Sequence, residues 1–206
     1  MNNSLVLFTQ PDFPKTKGFT LLTRFMQANK GIKVSFKTQT GGLLDSLNHS
    51  ECDLIFSAGL NEQTNALITD HDPYLAILPA PYVSQLGLSM TTTINLAQLA
   101  ESNLLLPSSK HPLRQELQAA FAVAGQTIKV GEEDDSLDLR LTKVAQYLGA
   151  TIAPQSSLPA ELPAGCQLFG IAPALVSTQG FLAASKPSPA ALTFLNFIKK
   201  QSTTTD

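Results

Sequence analysis

The pattern β-α-β-α-β is written into this chain twice, about a hundred residues apart, and this repetition limits its fold more than any other feature. The first copy opens with the apolar run Ser4 to Thr9 and a helical stretch to Asn29. It continues through the strand Ile32 to Phe36, a short helical segment led by Leu43, Leu44 and Leu47, and the strand Asp53 to Phe56. The second runs through Asn103 to Pro107, a helix from Pro112 to Ala124, the strand Ile128 to Val130, a helix to Leu148 and the strand Ala150 to Pro154. Leu5 and Leu104, Ile32 and Ile128, and Ile55 and Ile152 lie 99, 96 and 97 positions apart. One architectural unit is used twice, and its strands are continuous apolar runs, as expected when helices cover both faces of a largely parallel sheet.

Helix faces and stops follow from spacing. Gly18, Leu21, Leu22, Phe25 and Met26 make one apolar stripe, which Gly31 stops. Leu113, Leu117, Phe121 and Ala124 make the equivalent stripe, with Pro112 suited to a first helical position and Gly125 to a C-terminal cap. Leu141, Val144, Ala145 and Leu148 mark the next helix, closed by Gly149. Between the copies Tyr74 to Pro79 reads as a strand and Ile94 to Ala100 as a short helix. After them come strands at Leu168 to Ala172 and Phe181 to Ala184, and a last helix capped by Ser188-Pro189. If that helix returns to the first lobe, the chain crosses between lobes twice and forms a hinge around a cleft. The tail Gln201 to Asp206 is polar and is expected to fray.

Composition removes several classes of function. With 206 residues, 43% hydrophobic and 15% charged, the chain can bury a core without metals or disulfides. A net charge of −2 supplies no basic field for nucleic-acid phosphates. Cys52 and Cys166 are isolated, which suits reduced thiols filling apolar space. The N-terminus does not resemble a secretory signal and no window reaches membrane-span length, so a cytoplasmic location is expected.

Chemistry is expected at the carboxyl ends of the strands, where loops lead into helix N-termini. In the first copy these are Thr9-Gln10-Pro11, Thr38 to Gly42 and Ser57-Ala58-Gly59. In the second they are Pro107-Ser108-Ser109, Glu132 to Ser136 and Pro154-Gln155-Ser156. They are rich in hydroxyls and amides, which suits a small polar ligand held by neutral hydrogen bonds. Thr9, Gln10, Thr40, Ser57, Ser108, Ser109 and Asp135 are the candidate ligand-binding residues. Thr40, Ser109, Asp135 and Ser136 also fit plain helix capping, and both readings stay open. The acidic run Glu132 to Asp135 reads as a solvated face stabilised by a helix dipole ahead of a cation site. No phosphate loop, nucleophile elbow or dinucleotide fingerprint occurs. His49, His71 and His111 are isolated, and His111 reads as a turn position before Pro112. No catalytic residue, metal site or cofactor is expected.

Thr40-Gly-Gly-Leu-Leu-Asp-Ser-Leu47 followed by Glu51-Cys-Asp-Leu-Ile-Phe56, Asn95 to Ala100 with Leu104 to Ser109, Val144 to Pro154, and Ser188 to Ile198 carry a resemblance. In order and spacing they resemble the effector-binding domain of LysR-type transcriptional regulators, over essentially the whole chain. The resemblance implies an α/β, periplasmic-binding-protein-like fold of type 2, with two lobes joined by two crossover segments and a cleft between. Lobe I would be residues 1–82 and 176–206, and lobe II residues 83–175. It implies a small-molecule or ion effector, and a homodimer or tetramer in which the helices at 15–29 and 111–124 pair head to tail. DNA would be bound only through an N-terminal helix-turn-helix outside this sensing fragment. Tyr147 stands where the family usually has glycine or another small residue. Gly131 to Asp135 weakly resembles the sodium-responsive activators of a sodium/proton antiporter. The alternatives are a transporter's solute-binding protein, and an enzyme on the same fold, against which the lack of clustered Arg, Lys or reactive Cys in the loops speaks.

Overall fold

The structure is a computed structural model that describes residues 3–60 and 66–202. The polar tail from residue 203 lies outside the described residues. The chain forms two compact units, Met1–Asp70 with Thr178–Asp206 and His71–Ser177, so it passes from one to the other twice. Residues 71 to 82, assigned from sequence to the first lobe, lie in the second unit, where Tyr74 to Ile77 pair with Pro154 to Thr151.

In the first unit, β1 (Ser4–Thr9), α1 (Lys17–Ala28), β2 (Lys33–Thr38), α2 (Leu43–Asn48) and β3 (Leu54–Ser57) follow in the expected order. β1 lies between β2 and β3, parallel to both. The β4 strand (Leu67–Pro79) leads out of this unit, and β10 (Val176–Ala183) returns to pair antiparallel with β3. Thr16 caps α1 by accepting a hydrogen bond from Phe19 N. Leu22 and Phe25 turn inward on the α1 stripe. They meet Leu5, Leu7, Phe56, Phe181 and, from α7 (Pro189–Ser202), Phe194 and Ile198. Phe25 and Phe194 sit 5.0 Å apart, ring edge to face. The last helix therefore completes the first unit's core, as its apolar spacing implied.

The second unit holds α3 (Ala80–Gln85), β5 (Thr93–Ile94), α4 (Leu96–Ala100), β6 (Leu104–Leu106), α5 (Pro112–Val123), β7 (Val130–Glu133), α6 (Leu137–Ala145), β8 (Ala150–Pro154) and β9 (Cys166–Ile171). β6 lies between β7 and β8, parallel to both, which repeats the strand order of the first unit. β4 runs antiparallel to β8 and to β9, so each unit's sheet is mixed rather than largely parallel. Continuous apolar runs report burial on both faces and carry no strand direction.

Two local expectations are corrected. β7 begins at Val130 and takes in Glu132 and Glu133, and its ladder with β6 carries a bulge, Leu104 pairing with Val130 and Leu105 with Glu132. α6 stops at Ala145, before the expected Leu148 and Gly149. The turn is made by Tyr147, at φ 64°, a left-handed conformation that glycine adopts more readily. A glycine at this position would hold that backbone without strain.

Candidate functional site

In the first unit the three parallel strands end side by side, with Thr9 registered against Thr38 on one flank and Phe56 on the other. Main-chain bonds then fix the loops: Gln39 N donates to Thr9 O and Phe13 N to Gln10 O. Gln10 folds across the sheet, and its Oε1 accepts from Ala58 N at 3.1 Å. Gln10 Nε2, on a residue 3% exposed, is left without a hydrogen-bond partner, and so is Thr9 Oγ1 on a residue fully buried. Buried polar atoms are nearly always paired, so two orphans on adjacent residues at a strand end mark a place built to receive a polar group. Ser57, also buried, donates its hydroxyl to Ala58 O at 2.9 Å.

Thr9, Gln10 and Ser57 are thus brought together. Thr40 is exposed, and the cap of α2 that was one reading of it is instead Gly42, in the left-handed region at φ 73°. Next to it Gln39 Nε2 donates to Ser46 Oγ on α2.

In the second unit the loops after β6 and β7 are tied to each other. Asp135 accepts from Ser108 N at 2.8 Å, and Asp134 N donates to Leu106 O. Asp135 therefore holds the Ser108 loop in place and does not cap α6, a task taken by Ser136, whose hydroxyl accepts from Leu139 N. His111, expected as a plain turn residue, caps α5 with Nδ1 accepting from Leu113 N. Ser108 is half-buried and Ser109 exposed, so two hydroxyls stand at the loop that opens α5.

The acidic run is committed to protein partners. Glu133 meets Arg114, and Glu132 and Asp134 both meet Lys143. The hydrogen bond from Lys143 holds the Asp134 carboxyl below its usual range, and the bonds to Glu132 and Asp134 push the Lys143 ammonium up. Elsewhere burial raises both thiols, Cys52 to about 11, so neither has reactive thiolate character at neutral pH.

Two buried arginines brace the second unit, Arg114 at the loop after β6 and Arg140 against β8, and neither was read from the sequence. Arg114 Nη1 donates to Pro107 O at 3.1 Å and to Glu133 at 3.2 Å. Arg140 Nη1 donates to Thr151 Oγ1 at 2.9 Å, and that hydroxyl in turn donates to Leu105 O at 2.7 Å. A signal existed: Leu137, Arg140, Leu141 and Val144 share one helix face, so a charge lies on the inward stripe. Deeper in the same unit Glu116 accepts from Tyr74 Oη at 2.6 Å and Ser177 Oγ at 2.9 Å, and Asp72 accepts from Ser156 N. Among the described residues no cluster of three or more His, Cys, Asp or Glu side chains could hold a metal. No helix among them is long and apolar enough to cross a membrane.

A family model described as the LysR substrate binding domain matches residues 3–203. No curated protein matches the chain in sequence. The chain is similar in structure to the effector binding domain of QuiR in complex with shikimate, with a TM-score of 0.78 and 17% identity over 98% of each chain. It is similar to the Synechocystis PCC6803 CcmR regulatory domain in complex with 2-PG, with a TM-score of 0.74 and 19% identity over 98% of each chain. It is also similar to HinK, a LysR family transcriptional regulator from Pseudomonas aeruginosa, with a TM-score of 0.69 and 15% identity. That match covers 96% of this chain and 70% of HinK. At such identities the likeness speaks for the fold, which is the periplasmic-binding-protein-like α/β fold expected from the sequence.

Proposed function

The chain belongs to the LysR substrate-binding-domain family, and on that footing we propose that it is the effector-sensing and oligomerisation domain of a bacterial LysR-type transcriptional regulator. It binds a small polar molecule at the carboxyl ends of its parallel strands and so controls DNA binding by an N-terminal domain of the same regulator, in the cytoplasm. Domains of this family regulate rather than catalyse, and regulator structures as neighbours speak against a transporter's solute-binding protein.

The observation that carries this reading is the pair of orphaned buried donors, Thr9 Oγ1 and Gln10 Nε2. An effector with acceptor oxygens would satisfy both, and the otherwise unfavourable desolvation of those atoms would become binding free energy. In the first unit Ser57, whose hydroxyl already donates to Ala58 O, and the exposed Thr40 stand at these strand ends; in the second unit Ser108 and Ser109 stand at the corresponding ends, where Asp135 fixes the Ser108 loop. Shikimate, bound by QuiR, is a small hydroxylated carboxylate, which suits this kind of donor set. A sodium-sized ion at Glu132 to Asp134 would have to compete with Lys143 and Arg114 for the same carboxylates. The polar organic effector is therefore preferred.

The test is a calorimetric and thermal-shift screen of hydroxylated carboxylates, shikimate included, against the wild type and the Thr9→Val and Gln10→Leu variants. A ligand specific to the native state raises the melting temperature, and each variant should weaken its binding about tenfold or more. Equal affinity for all variants would refute the assignment. Oligomerisation is proposed through α1 and α5 across a two-fold axis. Sedimentation showing monomer alone at high concentration would refute that part.

A further inference from the structure

The second unit contains a polar cavity at the opposite end of β6 from the Ser108 loop. It has a volume of about 270 Å³ and is lined by Tyr82 and Gln85 of α3, Leu86 after it, Glu101, Ser102 and Asn103 before β6, and Lys129 before β7. Ser102 is only 4% exposed, and its hydroxyl has no hydrogen-bond partner. Its main chain is satisfied, Ser102 N donating to Leu99 O, so the side chain is the unexplained group. A buried hydroxyl without a partner is destabilising, and its presence on a cavity wall points to a guest that completes it.

The charges on the wall narrow the guest. Glu101 and Lys129 have opposite signs, and neither forms an ion pair among the described residues. This contrasts with Glu132, Glu133 and Asp134 in the same unit, all of which are paired. A free ammonium receives a carboxylate, and a free carboxylate receives an ammonium. Asn103 Nδ2 is already used on Leu148 O at 3.0 Å, which leaves its oxygen as an acceptor. The cavity volume falls just below the range of drug-sized pockets, roughly 300–1,000 Å³.

We propose that this cavity is a second binding site, separate from the effector loops, and that it takes a free α-amino acid: Lys129 holds the carboxylate, Glu101 the ammonium, and Ser102 a polar group between them.

The test uses isotope-labelled protein titrated with L-serine, L-glutamine and L-glutamate, and separately with butyrate and butylamine, which carry one charge each. Saturable amide-shift changes centred on residues 101–103 and 129 are expected with an amino acid. Lys129→Gln and Glu101→Gln should each weaken that binding about tenfold or more, as expected for loss of a charge-assisted hydrogen bond. Ser102→Ala should also weaken it without lowering the urea midpoint, and Thr9→Val should leave it unchanged. The proposal is overturned if no amino acid saturates, if butyrate or butylamine binds as tightly, if the charge variants bind normally, or if the shifts centre on residues 107–111 instead.

Discussion

Replacing Thr9 with valine should stabilise the unliganded protein while removing its capacity to bind effector. Thr9 is fully buried and its Oγ1 finds no partner, so valine keeps the shape of the side chain and discards only the stranded hydroxyl. Protein mutational data place the penalty for such a group at about 1–3 kcal/mol. For a domain of this size a gain near 2 kcal/mol corresponds to a rise in melting temperature of roughly 4–8 °C. The chain has no tryptophan, so urea unfolding is best followed by far-ultraviolet circular dichroism. A higher midpoint with an unchanged slope is expected. Thr9→Ala is the wrong comparison because it also opens a cavity, which costs stability through lost packing. Gln10→Leu should move the other way, since Gln10 Oε1 accepts from the buried Ala58 N and that donor would be abandoned. A Thr9→Val midpoint equal to or below that of the wild type would mean that the hydroxyl is satisfied in the free protein. Thr9 and Gln10 would then no longer mark a ligand site.

Tyr147→Gly should stabilise the chain by about 1 kcal/mol, because Tyr147 holds φ 64° and is more than half exposed, so relief of left-handed strain outweighs the lost contacts. An unchanged or lowered urea midpoint would contradict this. Gly18→Ala should destabilise, although alanine favours a helix by about 0.8–1.0 kcal/mol. Its Cβ would lie 2.3 Å from the Phe56 ring, itself fixed between Phe13 and Phe181, and such overpacking costs about 1–3 kcal/mol. A melting temperature above that of the wild type would sink the reasoning. The Lys143 pairs give a pH signature with two limits. Asp134, whose pKa is lowered, contributes fully above its unfolded value of about 3.9 and loses the contribution as pH falls through the folded value. Lys143, whose pKa is raised, contributes fully below about 10.4 and loses it as pH rises through the folded value. The midpoint difference between wild type and Lys143→Met should therefore be flat from about pH 5 to 9 and vanish toward pH 2. A difference that persists in acid would assign the effect to packing of the lysine stem.

Much of the fold was legible because the signals are local. Leu22 and Phe25 turn inward where the α1 stripe put them, and Ser188 caps the last helix with its hydroxyl accepting from Ala191 N. Gly125 turns the chain after α5 at φ 68°. Of the candidate site, Thr9, Gln10 and Ser57 were expected from the rule that ligands gather at strand ends, and the structure places them side by side. Thr40 lies exposed on the loop that Gln39 N ties to Thr9 O, and Gly42 rather than Thr40 takes the cap of α2.

What the sequence determined by itself was the doubled β-α-β-α-β order, since the period of apolar residues and the residues that stop helices are written along the chain. Only the tertiary structure decided which way the joining strands run, where β7 slips against β6, and which polar atoms find partners. Arg140 became a brace for Thr151, Asp135 a tie for the Ser108 loop, and Thr9 and Ser102 were left wanting. Hydrogen-bond satisfaction depends on groups that are distant in sequence and adjacent only after folding. The periodicity that announces a helix or strand carries no record of them.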